Sequence, residues 1–276
     1  MDYIVDTVEL KDSRIYYTKF GNGQKTLIVL PGLSFRPLHL FPESLVDAFN
    51  NLTEDFCIYV LDVKDEITKT YTINELSNDA LFLIKELGLK DIYLFGASLG
   101  GMMALNIALK EPKLIKKMIV ASSSPYVNSY FNDFLTRINE LIDERNVRSL
   151  TKYFIKMVYS REYVDKYGNG IIEFYKDLNE EELMKIKHLT SDTRFNVLND
   201  LPNLKVKTLF IASKLDKVFT FYPTIQAACL SNSECVLYDE YSHAVYDEAE
   251  DFKERVKEYF SRWLYVRKIC IKRKWL

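Results

Sequence analysis

The N-terminal part of the chain alternates between apolar and polar positions in two short segments. Residues 3–10 and 14–20 carry this alternation, and the polar sequence Lys-Asp-Ser separates them. A period of two is typical of strands that bury one face, and a short polar break between two such strands favours an antiparallel hairpin. We therefore predict a hairpin at the beginning of a sheet.

Later apolar segments are continuous rather than alternating, which is typical of strands buried on both faces. Helical patterns stand between them, and one of these begins with a capping box from Thr72 to Glu75 and stops at Gly88. Strands that alternate with helices form βαβ units, so we predict a mostly parallel sheet. The continuous runs are residues 26–30, 56–61, 92–95, 114–121 and 206–213.

Residues 126–203 interrupt this alternation. Helical patterns follow one another there, over residues 130–144, 150–167 and, with interruptions, 180–198. We expect an all-helical insertion after the sixth strand, with residues 1–125 and 204–276 forming an α/β core. The alternative is a second small helical domain with a partner of its own.

A short motif with a serine at its centre stands between a predicted strand and a predicted helix. The sequence Gly-Ala-Ser-Leu-Gly occupies residues 96–100. A serine on so sharp a turn needs very small neighbours, and Gly96 and Gly100 supply them. The turn would place the Ser98 hydroxyl at the carboxyl end of the strand, beside the free N–H groups of the next helix. The alternative is an ordinary glycine-rich turn between a strand and a helix.

The strand, the G-x-S-x-G motif and the following helix resemble the nucleophile elbow of the α/β-hydrolase family, and the resemblance extends over nearly the whole chain. It implies a three-layer α/β fold with a mostly parallel central sheet, an antiparallel N-terminal hairpin and a helical cap over residues 126–203. It also implies that Ser98 is a nucleophile, and that an Asp or Glu and then a His follow it along the chain.

Two histidines follow Ser98, and the resemblance favours the second as the catalytic base. His188 lies within the helical insertion, where we expect a surface or packing position. His243 follows a predicted strand and a short turn, at the start of the last helix, which is where the family places its histidine. The competing interpretation is that His243 is simply a polar residue that begins a helix.

The resemblance favours Asp216 as the acid that orients the imidazole, because a predicted strand leads through a short loop to this carboxylate. The other position that the family uses follows the preceding sheet strand. In this chain residues 122–124 occupy that position, and all of them are serine. Asp239 and Glu240 stand closer to the histidine in sequence, but we expect them to cap the loop.

Two backbone N–H groups hold the developing oxyanion in this family. The resemblance assigns one to Leu99, the residue after Ser98, and the other to Leu33, in the loop after the first continuous apolar run. Pro31 stands where the family has a histidine, so Ser34 is an alternative to Leu33 as the donor.

The loop after residues 56–61 also departs from the family pattern. Many relatives carry Asp-Arg-Gly-x-Gly-x-Ser there, whereas in this chain Asp62 is followed by Val-Lys-Asp-Glu-Ile, without glycine. No role for Asp62 follows from a polar loop of this kind.

Composition limits the classes of protein to which the chain can belong. Its 276 residues, of which 48% are hydrophobic and 28% charged, are typical of a soluble globular protein. A net charge of −2 argues against nucleic acid as a partner. Four cysteines without a C-x-x-C pair, and no basic and apolar leader sequence, predict a cytoplasmic location. Three scattered histidines argue against a metal site, and no cofactor is implied.

Basic residues are concentrated at the C-terminus, with hydrophobic residues between them. The cations there are Arg262, Arg267, Lys268, Lys272, Arg273 and Lys274. Such a tail could rest on an anionic membrane surface. We favour the other interpretation, a helix end whose cations suit its dipole, followed by packed or frayed residues.

These observations predict a serine hydrolase that cleaves an ester-type bond of a small molecule through an acyl-enzyme. The serine at the elbow disfavours haloalkane dehalogenase and epoxide hydrolase chemistry, for which the resemblance implies an aspartate at that place. Thioester, amide and C–C bonds could be cleaved by the same three groups. A non-hydrolytic ligand-binding protein of the same fold is the alternative from a different class, although a pure binder does not need all three groups.

Overall fold

The central element of the fold is one eight-stranded sheet, seen in a computed structural model that describes residues 1–11 and 13–262. The strands are β1 (Tyr3–Glu9), β2 (Arg14–Phe20), β3 (Lys25–Leu30), β4 (Phe56–Leu61), β5 (Ile92–Ala97), β6 (Ile115–Ala121), β7 (Lys207–Ser213) and β8 (Glu234–Tyr238). Their order across the sheet is β1-β2-β4-β3-β5-β6-β7-β8. β1–β2 and β2–β4 pair antiparallel and every other pair is parallel, so the predicted mostly parallel sheet is confirmed.

The predicted N-terminal hairpin is present, and its register follows the alternation of the sequence. Val8 lies opposite Ile15, and both side chains are buried. β2 then continues the pairing into the sheet, where Phe20 lies opposite Ile58 of β4. The second strand of the hairpin therefore attaches it to the rest of the sheet.

Ten helices accompany the strands within the described residues. They are α1 (Pro42–Ala48), α2 (Ile73–Glu86), α3 (Leu99–Lys110), α4 (Ser129–Asp143), α5 (Val147–Val158), α6 (Arg161–Phe174), α7 (Glu180–Leu189), α8 (Tyr222–Leu230), α9 (Val245–Glu248) and α10 (Phe252–Ser261). The capping box at the start of α2 is formed, since the Thr72 hydroxyl accepts from the Glu75 N–H at 3.2 Å and the Glu75 carboxylate accepts from the Thr72 N–H at 2.8 Å.

Helices cover both faces of the sheet, which makes the fold three-layered. Successive residues of β3 enter different hydrophobic clusters: Ile28 packs in the cluster that contains Met102 of α3, and Leu27 packs in the one that contains Val256 of α10. A strand whose two faces are both buried in this way requires a continuous apolar run, which is the pattern found in the sequence.

Four consecutive helices, α4 to α7, lie between β6 and β7. The single helix predicted over residues 150–167 is wrong, because the chain breaks between α5 and α6. Tyr159 has extended backbone angles, and the Ser160 hydroxyl accepts from the Tyr163 N–H and starts α6 as an N-cap. The interrupted pattern over residues 180–198 contains one α-helix, α7, which ends at Leu189.

The basic C-terminal segment that could rest on a membrane lies outside the described residues from position 263 onward. Among the residues that the structure describes, no helix has the length and the apolar composition needed to cross a membrane.

Candidate active site

Ser98 occupies a strained turn between β5 and α3. Its backbone angles are φ 52° and ψ −119°, a region that residues with a side chain rarely adopt. Both flanking glycines are required by close packing: a Cβ on Gly96 would lie 2.4 Å from the Gly100 carbonyl oxygen, and a Cβ on Gly100 would lie 1.9 Å from the Leu30 carbonyl oxygen. The two glycines thus let the turn fit against β3 and α3.

Neighbouring strands hold the backbone of this turn in place. The Ser98 N–H donates to the Ala121 carbonyl at 2.9 Å, at the end of β6. The Ser123 hydroxyl donates to the Ser98 carbonyl at 2.7 Å, and Thr224 of α8 donates in turn to the Ser123 carbonyl at 2.6 Å. Sequence reasoning missed Ser123, since it considered residues 122–124 only as a possible place for a carboxylate.

The structure brings together the three side chains that the sequence singles out. The Ser98 Oγ lies 2.9 Å from His243 Nε2, and His243 Nδ1 lies 2.9 Å from Asp216 Oδ2. All three residues are buried, with exposed fractions of 8%, 2% and 6% for Ser98, His243 and Asp216. A hydroxyl, an imidazole and a carboxylate linked in this order are the groups that base-assisted nucleophilic attack requires.

The Asp216 carboxylate is fixed by the backbone around it. Its Oδ1 accepts from the N–H groups of Val218 at 2.7 Å and Phe219 at 3.0 Å, which leaves Oδ2 for the imidazole. An ionised carboxylate only accepts, so His243 Nδ1 carries the proton in this pair and Nε2 presents a lone pair to Ser98.

The other acids and histidine considered from the sequence lie elsewhere. The Asp239 carboxylate pairs with Lys214 at 2.5 Å near the surface, and Glu240 is exposed. His188 lies near the end of α7, where its carbonyl accepts from the Tyr71 N–H at 3.0 Å. His243 does not begin the last helix as expected, but precedes the single-turn helix α9.

The loop after β3 lies directly over the serine. A Cβ on Gly32 would lie 3.1 Å from the Ser98 Cβ and 3.7 Å from its Oγ. Leu33 follows and lines the same small cavity as Ser98, whereas the Ser34 hydroxyl turns back to the Arg36 carbonyl at 2.7 Å. On the other side, Leu99 is the first residue of α3, a position whose N–H has no partner within a helix.

Two adjacent cavities open at this end of the sheet. A small one of about 30 Å³ is lined by Ser98 and His243, with aromatic side chains of α4 and α5. A larger one of about 360 Å³ lies between the loops after β3 and β4 and helix α7. Leu33, Leu99 and Leu189 line both cavities and form the wall between them.

A second histidine–aspartate pair, which sequence reasoning missed, borders the larger cavity. Asp62 Oδ2 accepts from the His39 N–H at 3.0 Å and lies 2.9 Å from His39 Nδ1, and the imidazole stacks on Tyr16 with ring centres 3.9 Å apart. No role for Asp62 followed from the sequence, and the structure shows that its carboxylate joins the end of β4 to the loop after β3. The position of Asp62 at a strand end was the available signal.

Comparison with known families agrees with this architecture. A family model described as "alpha/beta hydrolase fold" matches residues 25–250. The chain is also similar to the crystal structure of MGS-M2, an alpha/beta hydrolase enzyme from a Medee basin deep-sea metagenome library. The TM-score is 0.84 at 21% identity, over 96% of this chain and 100% of that one.

Two further relatives carry names that state an activity. A protein of Rhizobium rhizogenes named "Putative carbamate hydrolase RutD" is 24% identical over 248 residues, which cover 84% of this chain and 91% of the relative. The pimeloyl-[acyl-carrier protein] methyl ester esterase of Vibrio parahaemolyticus is 34% identical over 114 residues, which cover 41% of this chain and 42% of the esterase.

Proposed function

Because the chain belongs to the α/β-hydrolase fold family, we propose that it is a serine hydrolase that cleaves an ester-type bond of a small molecule. The observation that carries this proposal is the line of contacts from Ser98 Oγ through His243 to Asp216, with 2.9 Å at each step. A serine with a purely structural role does not require a neighbouring imidazole whose tautomer is fixed by a second buried group. Nucleophilic catalysis does require this arrangement.

The proposed reaction follows from the roles of these groups. His243 Nε2 takes the proton of Ser98 as Oγ attacks the substrate carbonyl, and Asp216 stabilises the imidazolium that forms. The N–H groups of Leu99 and Leu33 donate hydrogen bonds to the carbonyl oxygen and stabilise its negative charge. His243 then returns the proton to the departing alcohol. Water next attacks the acyl group while His243 takes a proton from the water, and that proton passes to Ser98 Oγ as the acid leaves.

We propose that residues 126–203 act as a cap over this site, with residues 1–125 and 204–276 as the core. Support comes from the small cavity, where Phe131, Phe134 and Phe154 of the helical segment line the same space as Ser98 and His243. Apolar walls of this kind exclude bulk water from the attacked carbonyl and strengthen the electrostatic contacts to it.

A carbamate is the second candidate substrate, because two of the relatives that match most of this chain are named as putative carbamate hydrolases. A carbamate carbonyl is attacked in the same way as an ester carbonyl, so the three groups need no rearrangement. Matched panels of p-nitrophenyl esters, carbamates, thioesters and amides would rank these bonds. No turnover on any of them, together with tight binding of a metabolite, would favour the non-hydrolytic alternative.

Covalent labelling tests the proposal directly. A fluorophosphonate should label the wild-type protein once, with the adduct on Ser98, and should fail to label Ser98→Ala. Ser123→Ala is the matched control, because its hydroxyl is also buried beside the turn but bonds to a carbonyl. Labelling of Ser98→Ala, or absence of labelling in the wild type, contradicts the proposed nucleophile.

A further inference from the structure

The larger cavity is a separate space with its own lining. Its volume of about 360 Å³ is in the range of small-molecule sites, whereas the space at Ser98 is about 30 Å³. Apolar side chains form its interior, among them Leu61, Leu76 and Met103. Such a volume suits an aliphatic group that extends away from the reacting carbonyl.

Helix α7 contributes one complete face to this cavity. The residues of α7 that line it are Glu181, Glu182, Lys185, Ile186 and Leu189. Positions four apart on a helix are neighbours, about 6 Å apart along the axis. Lys185 therefore lies one helical turn before Leu189, which also lines the Ser98 cavity.

Lys185 has unused hydrogen-bonding capacity. Its Nζ donates to the Asp65 carbonyl at 3.3 Å, and within the described part of the chain no carboxylate oxygen lies within 4.0 Å of it. An ammonium has three donors, so two remain for a ligand. The side chain is half-buried, and burial lowers its pKa, which indicates a cation that its surroundings have not fully compensated.

Two of the three carboxylates that act on Lys185 are engaged by other groups. Asp62 bonds to His39, as described above, and Asp65 accepts from Arg14 Nε at 2.9 Å and from the Ser13 hydroxyl at 2.7 Å. The charges of Asp62, Asp65 and Glu181 help to keep Lys185 protonated. The oxygens of the first two are already used as acceptors, and exposed Glu181, one turn earlier on α7, has no carboxylate oxygen within 4.0 Å of the ammonium. The cation is thus left for an anionic group that enters the cavity.

The position of His243 indicates which part of the substrate, the acyl group or the alcohol, extends into the larger cavity. The departing alcohol must receive its proton from His243, which lines the small cavity but is not among the residues of the larger one. The acyl arm is the one directed away from the imidazole. It would pass the wall formed by Leu33, Leu99 and Leu189.

We propose that the larger cavity binds the acyl arm of the substrate, and that this arm is an aliphatic chain whose far end carries a carboxylate paired with Lys185. The inference rests on the proposed ester hydrolysis at Ser98 and specifies its substrate class, a half-ester of a dicarboxylic acid. An arm of this kind places its methylene groups against the apolar interior and its charge at the one face of α7 that carries the ammonium.

A binding measurement tests the cavity without turnover. We would titrate octanoate, as the probe, into Ser98→Ala by calorimetry, with octanol and octylamine as comparisons. Octanoate should bind best, and adding Lys185→Met should weaken it roughly tenfold or more, while Lys185→Arg keeps it. Lys187→Met is the matched control, since Lys187 lies on the same helix but pairs with Asp143. Equal affinity in the Lys185→Met protein, or preference for octylamine, would overturn the inference.

A kinetic comparison tests the same point on the reaction. The mono-p-nitrophenyl ester of octanedioic acid should be hydrolysed with a higher kcat/KM than p-nitrophenyl octanoate, and Lys185→Met should lower the first value roughly tenfold with little effect on the second. Turnover that depends on Ser98 but not on Lys185 overturns this inference alone. Octanoate binding that depends on Lys185, without any turnover that depends on Ser98, overturns the proposed hydrolysis alone.

Discussion

The Ser98 Oγ and the His243 Nε2 lie 2.9 Å apart, although 145 positions separate the two residues in the chain. Replacing the imidazole by the amide in His243→Gln removes the base, so kcat/KM should fall by about three to six orders of magnitude. Steady-state hydrolysis of a p-nitrophenyl ester measures this. His188→Gln, in α7, should retain the wild-type rate. If this variant lost as much activity as His243→Gln, the loss would not depend on contact with Ser98.

The partner of the imidazole gives a second prediction. In Asp216→Asn the amide keeps an oxygen for the N–H groups of Val218 and Phe219, so the fold should survive. The amide nitrogen can no longer accept from His243 Nδ1, and the tautomer that presents a lone pair to Ser98 is lost. We expect kcat to fall by about four orders of magnitude.

The matched control for this change is Asp239→Asn, whose carboxylate pairs with Lys214 at the surface. It should leave kcat within a factor of two or three. Circular dichroism of both variants should match the wild type. If Asp216→Asn kept full activity, the orienting role assigned to this carboxylate would be wrong.

Packing at the turn gives a prediction on stability. A Cβ on Gly100 would lie 1.9 Å from the Leu30 carbonyl oxygen, and both groups are backbone or attached to it, so neither can move easily. Gly100→Ala should lower the free energy of unfolding by about 3 kcal/mol or more, measured by urea denaturation. Gly170→Ala, in α6, meets nothing within 4 Å and should instead raise it by about 0.5–1 kcal/mol. Similar values for the two variants would contradict this account.

The parts of the fold and site that follow from local sequence were predictable. The hairpin at Val8 and Ile15, the buried strands and the capping box at Thr72 each depend on residues within one or two elements. The contact of Ser98, Asp216 and His243 was predicted from the order of these residues in the family pattern. Their local sequences could not predict it, because residues that follow three separate strands meet only in the folded sheet.

The parts that sequence reasoning missed depend on how distant surfaces pack. His39 and Asp62 are separated by 23 positions, and they meet because β3 and β4 are neighbours in the sheet. The break at Ser160 was not predicted because helical patterns stand on both sides of it. A serine between two such patterns can be identified as an N-cap only when its hydrogen bond to the following turn is known. The cavity face of α7 likewise depends on what the helix packs against.

The contact between buried Tyr71 and half-buried Asp79 gives a prediction on pH. Burial raises the pKa of the Asp79 carboxyl above its ordinary value of 3.8, although the Tyr71 hydroxyl donates to it and opposes this. The native state then holds the proton more tightly than the unfolded chain, so the contribution of this group to stability is complete below pH 3.8 and is lost as the pH rises through the native value.

Asp79→Asn keeps an acceptor for Tyr71 and removes the charge. Relative to wild type, the variant should gain stability between pH 3 and pH 7, as measured by urea unfolding at several pH values. Glu43→Gln should behave in the opposite way, because the hydrogen bond from the Tyr3 hydroxyl lowers the pKa of Glu43. A stability difference for Asp79→Asn that does not change with pH would refute the raised pKa.

Arg36 links the loop that contains Leu33 to the helical segment of residues 126–203. It donates to the Phe174 carbonyl at 2.9 Å and pairs with Asp177 and with Glu182, the latter at 3.3 Å, and its side chain is only 19% exposed. Arg36→Met would remove these three contacts and free the loop over Ser98. We expect kcat/KM to fall about tenfold because Leu33, the proposed oxyanion donor, is no longer held in place.

Hydrogen exchange distinguishes this local effect from general destabilisation. Amides of residues 31–41 and 174–182 should exchange faster in Arg36→Met, while those of β5 and β6 keep their wild-type protection. Arg161→Met, whose side chain is 95% exposed on α6 and pairs with Asp165 at 3.6 Å, should change neither exchange nor rate. If exchange rose throughout the sheet in Arg36→Met, the arginine would be a general stabilising residue and its loss would say nothing about the loop. Faster exchange confined to the two segments, together with the lower kcat/KM, would show that contact between the helical segment and the loop after β3 keeps the site assembled.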